Sequence, residues 1–377
     1  TILALTLALS GGGATALAAN PPTTTDPGAA AAGWIALQVD AGVGPGSLAD
    51  AIFAYASTGV GASAAATALA RLETAVDSYI LDGSSALVPG NLAKTLLAVQ
   101  VAGGDPTTFG GHDLETQLRG LMVTTPGPNL GRFGAGLTSD QAYAVVALSR
   151  TSGGVPADAL AYFVSLQCSN GDFQWDGSCP GAGAEDPDTT GLAVQALIAG
   201  GASAAEAKSV QLLLDIQGSD GAFSSFGTPN TNSSGVAGQA LRAAGKTTAA
   251  NKAEAFIKTL QFGCSAPAAE RGAYPWAASS AGFLIFSTPQ AILAFGGPAL
   301  GVLSISGASN AAPVLACATA PPPTGGTGAG SGRPPTAPPT DGTVSMSTPT
   351  HPSAALLLIV LLAAAGGGRL AIRRLRR

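Results

Sequence analysis

The chain has 377 residues, room for one large domain or two small ones, and a formal net charge of −5. Only 10% of its residues are charged against the usual quarter, and 46% are hydrophobic, so much of it belongs in helix interiors or in a membrane. Five arginines stand at or after Arg369, which leaves 12 basic against 22 acidic residues elsewhere, a balance that excludes nucleic acid as a natural partner.

Residues 1–9 are an uncharged apolar run, followed by Gly11–Gly13 and then Ala16-Leu17-Ala18, a small-x-small pattern. Residues 1–18 therefore read as a signal peptide truncated at its start, with 19–28 as a linker. From residue 29 a grammar repeats: a capping residue, an Ala-rich helix, a closing glycine. Ser47 opens 48–58 before Gly59, Asn91 opens 92–102 before Gly103, and Ser139 opens 140–152 before Gly153. Asp188 opens 189–199 before Gly200, Asn232 opens 233–244 before Gly245, and Thr288 opens 289–295 before Gly296. Ser, Asn, Asp and Thr accept hydrogen bonds from the free amides of a helix start, and glycine supplies the left-handed residue past its end. The cap spacings of 44, 48, 49, 44 and 56 residues predict a helical repeat.

These helices are apolar nearly all round, which predicts burial on every side; between Gly191 and Gly201 only Gln195 is polar. The intervening helices carry single stripes: Leu69, Leu72, Val76 and Tyr79; Leu114, Leu118, Leu121 and Met122; Ala253, Phe256, Ile257 and Leu260. Six alternations of buried and one-sided helices predict an all-α fold over 29–317, an α/α toroid (α6–α6 barrel) of six helical hairpins with parallel inner helices. A second element recurs as Leu166-Gln167 with Gly171-Asp172-Phe173, as Ile216-Gln217 with Gly221-Ala222-Phe223, and as Leu260-Gln261 with Gly272-Ala273-Tyr274. Leu37-Gln38, one turn after Trp34, opens the series. Glutamine at a helix end can bond the loop backbone, glycine lets the loop turn, and the ring packs back.

Residues 318–352, rich in Pro, Gly and Thr, read as an extended stalk. Residues 353–372 are apolar enough to form a transmembrane helix if Arg369 snorkels, and 373–377 are a basic cytoplasmic tail. The positive-inside rule then leaves the N-terminal body outside: an exported, cell-surface protein held in the cell membrane by a single C-terminal pass. A cell-wall sorting signal would need a Leu-Pro-x-Thr-Gly-like motif, which 347–353 does not supply. An even cysteine count in an exported chain implies disulfides. Of three possible pairings, Cys168–Cys179 around one compact loop and Cys264–Cys317 are expected.

The glutamine, Gly-x-aromatic and capped Ala-rich helix resemble the repeat of the prenyltransferase and squalene-cyclase superfamily, over about residues 29–297, and in particular its exported bacterial surface-protein branch. The superfamily includes terpene cyclases, protein prenyltransferase subunits, thioester domains and cobalamin carriers, so the resemblance implies a fold rather than one activity. Asp186-Pro187-Asp188-Thr189-Thr190-Gly191 resembles the Asp-x-Asp-Asp-Thr-Ala motif of class II terpene cyclases, with Asp188 as the alkene-protonating acid, Asp186 beside it, and Thr189 in place of the last Asp. The plainer reading makes Asp188 a helix cap. A zinc prenyltransferase would need a late histidine, and only His112 and His351 exist; no cysteine sits in a thioester motif.

Asp172, Asp176, Glu185, Asp186 and Asp188 crowd one loop and form either a solvated acidic rim or a Ca²⁺ site built on Asp172 and Asp176. Trp175 is a binding platform or the packed aromatic of its repeat. The expected function is a membrane-anchored extracellular binding or scaffolding module for a small molecule or surface protein, and not an enzyme. The alternatives are a terpenoid cyclase or transferase using Asp188, and a corrinoid or other small-molecule carrier. Any ligand site is expected at the rim of helix starts, bordered by Glu185, Asp186, Asp188 and Trp175.

Overall fold

The computed structural model describes residues 21–134, 136–280 and 282–318. The segments expected to be a signal peptide, a stalk beyond 318, a transmembrane helix and a basic tail lie outside the described residues. Among the described residues no helix is long and apolar enough to cross a membrane.

The described chain is mostly helical, as the periodicity predicts. Its α-helices are α1 (Pro27–Ala41), α2 (Pro45–Thr58), α3 (Ala62–Thr74), α4 (Val76–Ile80), α5 (Pro89–Ala102), α6 (Leu114–Gly120) and α7 (Thr138–Ser149). They continue with α8 (Ala157–Ser165), α9 (Pro187–Gly200), α10 (Ser203–Ile216), α11 (Thr231–Ala243), α12 (Thr247–Lys258) and α13 (Leu284–Ala291). Two 3₁₀ turns follow, Ile292–Ala294 and Leu300–Val302. The short strands are β1 (Thr23–Thr24), β2 (Phe223–Ser225), β3 (Thr228–Asn230) and β4 (Val314–Leu315). β2 and β3 form a hairpin, and β1 pairs in parallel with β4, joining the two ends of the described chain.

Six helices carry the core. In α2, all eleven residues from Ser47 to Ser57 are buried, and α5, α7, α9 and α11 are buried on nearly every side. α2 packs on α5, α5 on α7, α7 on α9, α9 on α11, α11 on α13, and α13 on α2. The intervening helices lie against these: α3 on α2, α6 on α5, α8 on α7, α10 on α9, α12 on α11, and α1 on both α2 and α13. All but α1 bury one stripe each, as α12 does with Ala250, Ala253 and Ile257; α1 buries every residue from Gly28 to Ile35. Single-sided amphipathic helices cover mostly apolar ones because helices of the second kind can lose water on nearly all faces.

Of the six expected closing glycines, Gly59 and Gly103 are the C-caps; α9 runs through Gly200 to Gly201, and α7, α11 and α13 are capped by Arg150, Ala244 and Ile292 rather than Gly153, Gly245 and Gly296. Gly59, Gly103 and Gly201 adopt left-handed φ angles of 67°, 74° and 74° and close α2, α5 and α9. The N-caps, however, are Gly44, Val88, Leu137, Asp186, Asn230 and Phe283, two to five residues before the expected ones. Pro45, Pro89 and Pro187 occupy first helical positions, where a missing N–H has no consequence, and they extend those helices backward. Ser47, Asn91, Ser139, Asp188, Asn232 and Thr288 are therefore helical residues and not caps. Asp186 caps α9 by accepting from the Thr189 N–H at 2.9 Å.

The Gly-x-aromatic element joins one helical pair to the next. Gly171, Gly221 and Gly272 sit against backbone carbonyls of Lys208 in α10, Lys252 in α12 and Ala30 in α1; Gly131, ahead of Phe133, does the same at Asp158 in α8. At Gly221, with φ of 90°, a Cβ would stand 2.2 Å from the Lys252 carbonyl oxygen, so both conformation and space demand glycine. The glutamines reach the same neighbours. Gln167 donates to the Ala205 carbonyl, Gln217 to those of Gly221 and Ala249, and Gln261 to those of Gly272 and Pro27. Phe133, Phe173, Phe223 and Tyr274 are wholly buried. Their backbone N–H groups donate to Gln141, Thr190, Ser234 and Thr288 on the following core helix.

Both expected disulfides form, Cys168–Cys179 and Cys264–Cys317. They belong to a chain that folds in an oxidising compartment. The segment 297–305 falls within the expected domain of 29–317, but its place across the helix ends was not foreseen. Gly297 lies on Ser57 of α2, Pro298 accepts from Gln239 of α11, Leu300 is held by Gln195 of α9 and Arg150 after α7, and Ile305 donates to Val101 of α5. It covers the C-terminal ends of five core helices.

Candidate functional site

Residues of α2, α5, α7, α9 and α11, with Pro289 and Gln290 near the end of α13, surround a cavity of about 230 Å³. Its polar wall is Asp50 on α2, Asn91 and Lys94 on α5, Ser139 and Asp140 on α7, Asp188 on α9 and Asn232 on α11. Tyr79 of α4 and Tyr143 of α7 add rings, and Phe53, Leu192, Val236, Leu293 and Leu300 make the deeper part apolar. Gln195, Gln239 and Gln290 place amides among these. Four of the six residues expected as caps, Asn91, Ser139, Asp188 and Asn232, thus form its polar wall instead.

The wall contains three carboxylates and one cation. Lys94 Nζ lies 2.7 Å from Asp50 Oδ1, with both side chains nearly buried, and 5.9 Å from the Tyr143 ring centroid. Burial alone would lower the Lys94 pKa; the Asp50 carboxylate outweighs it and holds the amine charged. The Tyr79 and Tyr143 hydroxyls act in the same direction as Asp50, and Lys94 stands as an ammonium held against Asp50. Burial pushes the Tyr143 phenol up to about 12 and raises that of Tyr79, so both stay protonated. Asp140 accepts from the Leu137 N–H at the start of α7.

Asp188 accepts from Ser225 Oγ at 3.0 Å and, on its other oxygen, from Asn232 Nδ2 at 3.4 Å. Burial, and then the Asp186 carboxylate two residues earlier, push it up to about 7 against these hydrogen bonds. Asp186 is itself raised, mainly by burial. Three polar atoms of wall residues have no partner: the Tyr79 hydroxyl, Gln195 Nε2 and Asn232 Oδ1.

The expected site residues separate. Asp188 lines the cavity; Asp186, Glu185 and Trp175 are not among its lining residues. Trp175 is 40% exposed, and the packed aromatic of its repeat is Phe173, buried completely. The acidic loop does not converge on a cation. Asp172 is buried and accepts from Thr190 Oγ1, Gln174 Nε2 and the Asp186 N–H; Asp176 accepts from the Ser178 N–H, and both Glu185 oxygens from the Gly183 N–H. Each carboxylate is spent on its own turn. Among the described residues no group of three or more His, Cys, Asp or Glu is placed to hold a metal, so the suggested Ca²⁺ set of Asp172 and Asp176 is not assembled. His112 pairs with Asp77 at 2.6 Å.

The sequence reading missed Asp50, Lys94, Asp140, Tyr143 and Gln239. One signal was present: polar residues at i and i+7 on otherwise apolar helices, as with Asp188 and Gln195 or Asn232 and Gln239, lie on one helix face. A scan against protein-family models finds none that matches this chain, and a search of curated proteins finds no match either.

Proposed function

We propose that the chain is an extracytoplasmic small-molecule-binding module, built as an α/α toroid of six helical hairpins and held to the membrane by residues 353–372. The toroid reading is supported by the order of packing among the six core helices, which returns from α13 to α2, and by the loop of Gly272 lying against α1. The observation that carries the function is the cavity: polar at the helix starts, apolar below, covered at the opposite helix ends by 297–305, and edged by buried polar atoms without partners. Of the eleven buried side-chain atoms without a partner among the described residues, three belong to residues that line this cavity. Pockets with a few placed polar groups on apolar walls are the usual form of ligand sites.

The cyclase reading fares worse on two grounds. Protonating an alkene calls for an unusually strong acid, whereas burial and Asp186 make Asp188 a weaker one. A cavity of about 230 Å³ also falls below the roughly 300–1,000 Å³ typical of drug-sized ligands, which leaves little room for a polyprenyl chain.

The test is mass spectrometry of small molecules extracted from full-length protein purified in mild detergent, beside a Val236→Phe variant that fills the cavity. The expected result is a stoichiometric compound present in the wild type and missing from the variant. A wild type carrying nothing, or a variant carrying the same compound, overturns the proposal. The topology has its own test: protease added to intact cells should release the body by cutting within 318–352, and a body cut only after lysis would refute an outside location.

A further inference from the structure

The polar wall of the cavity is unbalanced in a way that specifies a ligand. Asp50 and Asp188 project from two helices, and among the described residues the one cation lining the cavity, Lys94, is committed to Asp50 at 2.7 Å. At Asp188 the imbalance is local. Its hydrogen bonds come from the Ser225 and Ser233 hydroxyls and a weak 3.4 Å amide contact with Asn232, and the charged group that acts on it is another carboxylate, Asp186. Beside it, Asn232 has turned its Nδ2 toward Asp188, which leaves Asn232 Oδ1 buried with no donor. Among the described residues, a carboxylate with no cation beside it and a vacant amide carbonyl stand side by side. Uncompensated buried carboxylates and unpaired acceptors both raise the free energy of the empty site, and an ammonium group relieves both at once.

Deeper in the cavity the demand reverses. Gln195 lies seven residues, about 10 Å, further along α9. Its Oε1 accepts from the Leu300 N–H, which fixes the amide orientation, and its Nε2 donor then has no partner in a residue only 1% exposed. Between the two positions the surface is apolar, from Leu192, Val236 and Leu293, with the Phe53 and Tyr143 rings alongside. Rings of this kind suit a cation's neighbourhood, as Lys94 over Tyr143 already illustrates. The N-terminal helix dipoles would attract an anion, but the three wall carboxylates already occupy that field.

We infer that the cavity takes a compact organic cation: a primary or secondary ammonium seated between Asp188 and Asn232 Oδ1, on an apolar frame that carries a hydrogen-bond acceptor toward Gln195. This rests on the reading of the cavity as a ligand site and adds the chemical class of the ligand.

The test is calorimetric titration of the purified full-length protein with three probes of one shape, 2-phenylethylammonium, 2-phenylethanol and 3-phenylpropionate. A charge-assisted hydrogen bond in a buried site corresponds to about tenfold or more in affinity. The ammonium should therefore bind about tenfold or more tightly than the alcohol, and the carboxylate weakest of all. Asp188→Asn should remove the preference for the ammonium while leaving alcohol affinity within about threefold. Asn232→Leu, which removes the vacant acceptor by a different change, should weaken only the ammonium and serves if the first variant folds poorly. Equal binding of alcohol and ammonium, tighter binding of the carboxylate, or a preference that survives Asp188→Asn would each overturn the cation assignment. So would the failure of all three probes to bind; the co-purification test, which uses no probe, then decides separately whether the cavity holds a ligand at all.

Discussion

The two ends of the six core helices are built on opposite principles. At their C-terminal ends the segment 297–305 supplies an apolar side chain, Leu300, and pairs its backbone with Gln195, Gln239, Arg150 and Val101. At their N-terminal ends the same helices leave a cavity whose wall holds three carboxylates, one lysine and unpartnered amide and hydroxyl atoms. One end is crossed by a segment whose backbone is hydrogen-bonded to four core helices or their ends; the other retains polar groups that a purely structural core would replace with leucine. The difference teaches where this fold spends its stability.

The largest expected effect breaks the closed end. Leu300 is 3% exposed, and Leu300→Ala should destabilise by about 2–5 kcal/mol through lost burial and an enlarged cavity. Urea unfolding measures it; a loss under about 1 kcal/mol would mean that 297–305 merely lies over the helices. The next effect lies at the open end. Lys94→Ala leaves Asp50 buried without its cation and should destabilise by about 3 kcal/mol, toward the low end for such pairs because the side chains are 13% and 12% exposed. Lys94→Leu with Asp50→Leu should recover most of that loss; if the double variant is no better than the single one, the pair is not an isolated feature of the wall.

Asp188 gives the comparison a pH axis. Its folded pKa, about 7, lies above the ordinary value near 3.8, so between those values the folded state holds a proton that the unfolded state has lost. Stability should fall as pH rises from about 4 to 7. Asp188→Asn removes that penalty and should stabilise by on the order of 2 kcal/mol at pH 8, with little change at pH 4. Thermal melts across that range check the sign, and a variant less stable than wild type at pH 8 would show that Asp188 contributes to the fold. The smallest effect concerns the two disulfides. They close chain separations of 53 and 11 residues, and on chain entropy alone removing Cys264–Cys317 should cost about 1.4 kcal/mol more than removing Cys168–Cys179. Equal losses would place the benefit of both bridges in the native state.

Much of this architecture could be read from residues met in order, because helix periodicity and cysteine spacing are local properties of a chain. The buried and one-sided helices, both disulfides and the glycines closing α2 and α5 follow from the pattern of Ala, Leu and Gly with little reference to the rest of the molecule. Helix starts were misplaced because Ser, Asn and Asp suit both a cap and a polar wall. The prolines at 45, 89 and 187 were the local sign that those helices begin earlier. Segment 297–305 carries no periodicity, so its place across five helix ends had no sequence signature.

The amino-acid order by itself determined which stretches become helices, which of them are buried, and which cysteines meet. Tertiary packing alone decided that Asn91, Ser139, Asp188 and Asn232 share one wall, that Lys94 is already paired with Asp50, and that Asp188 faces Asn232 without a cation while Asp186, two residues away, is turned into a cap. Helix formation depends on neighbours within a turn or two. The charge balance of a cavity depends on residues more than a hundred positions apart, and those meet only after the helices have packed.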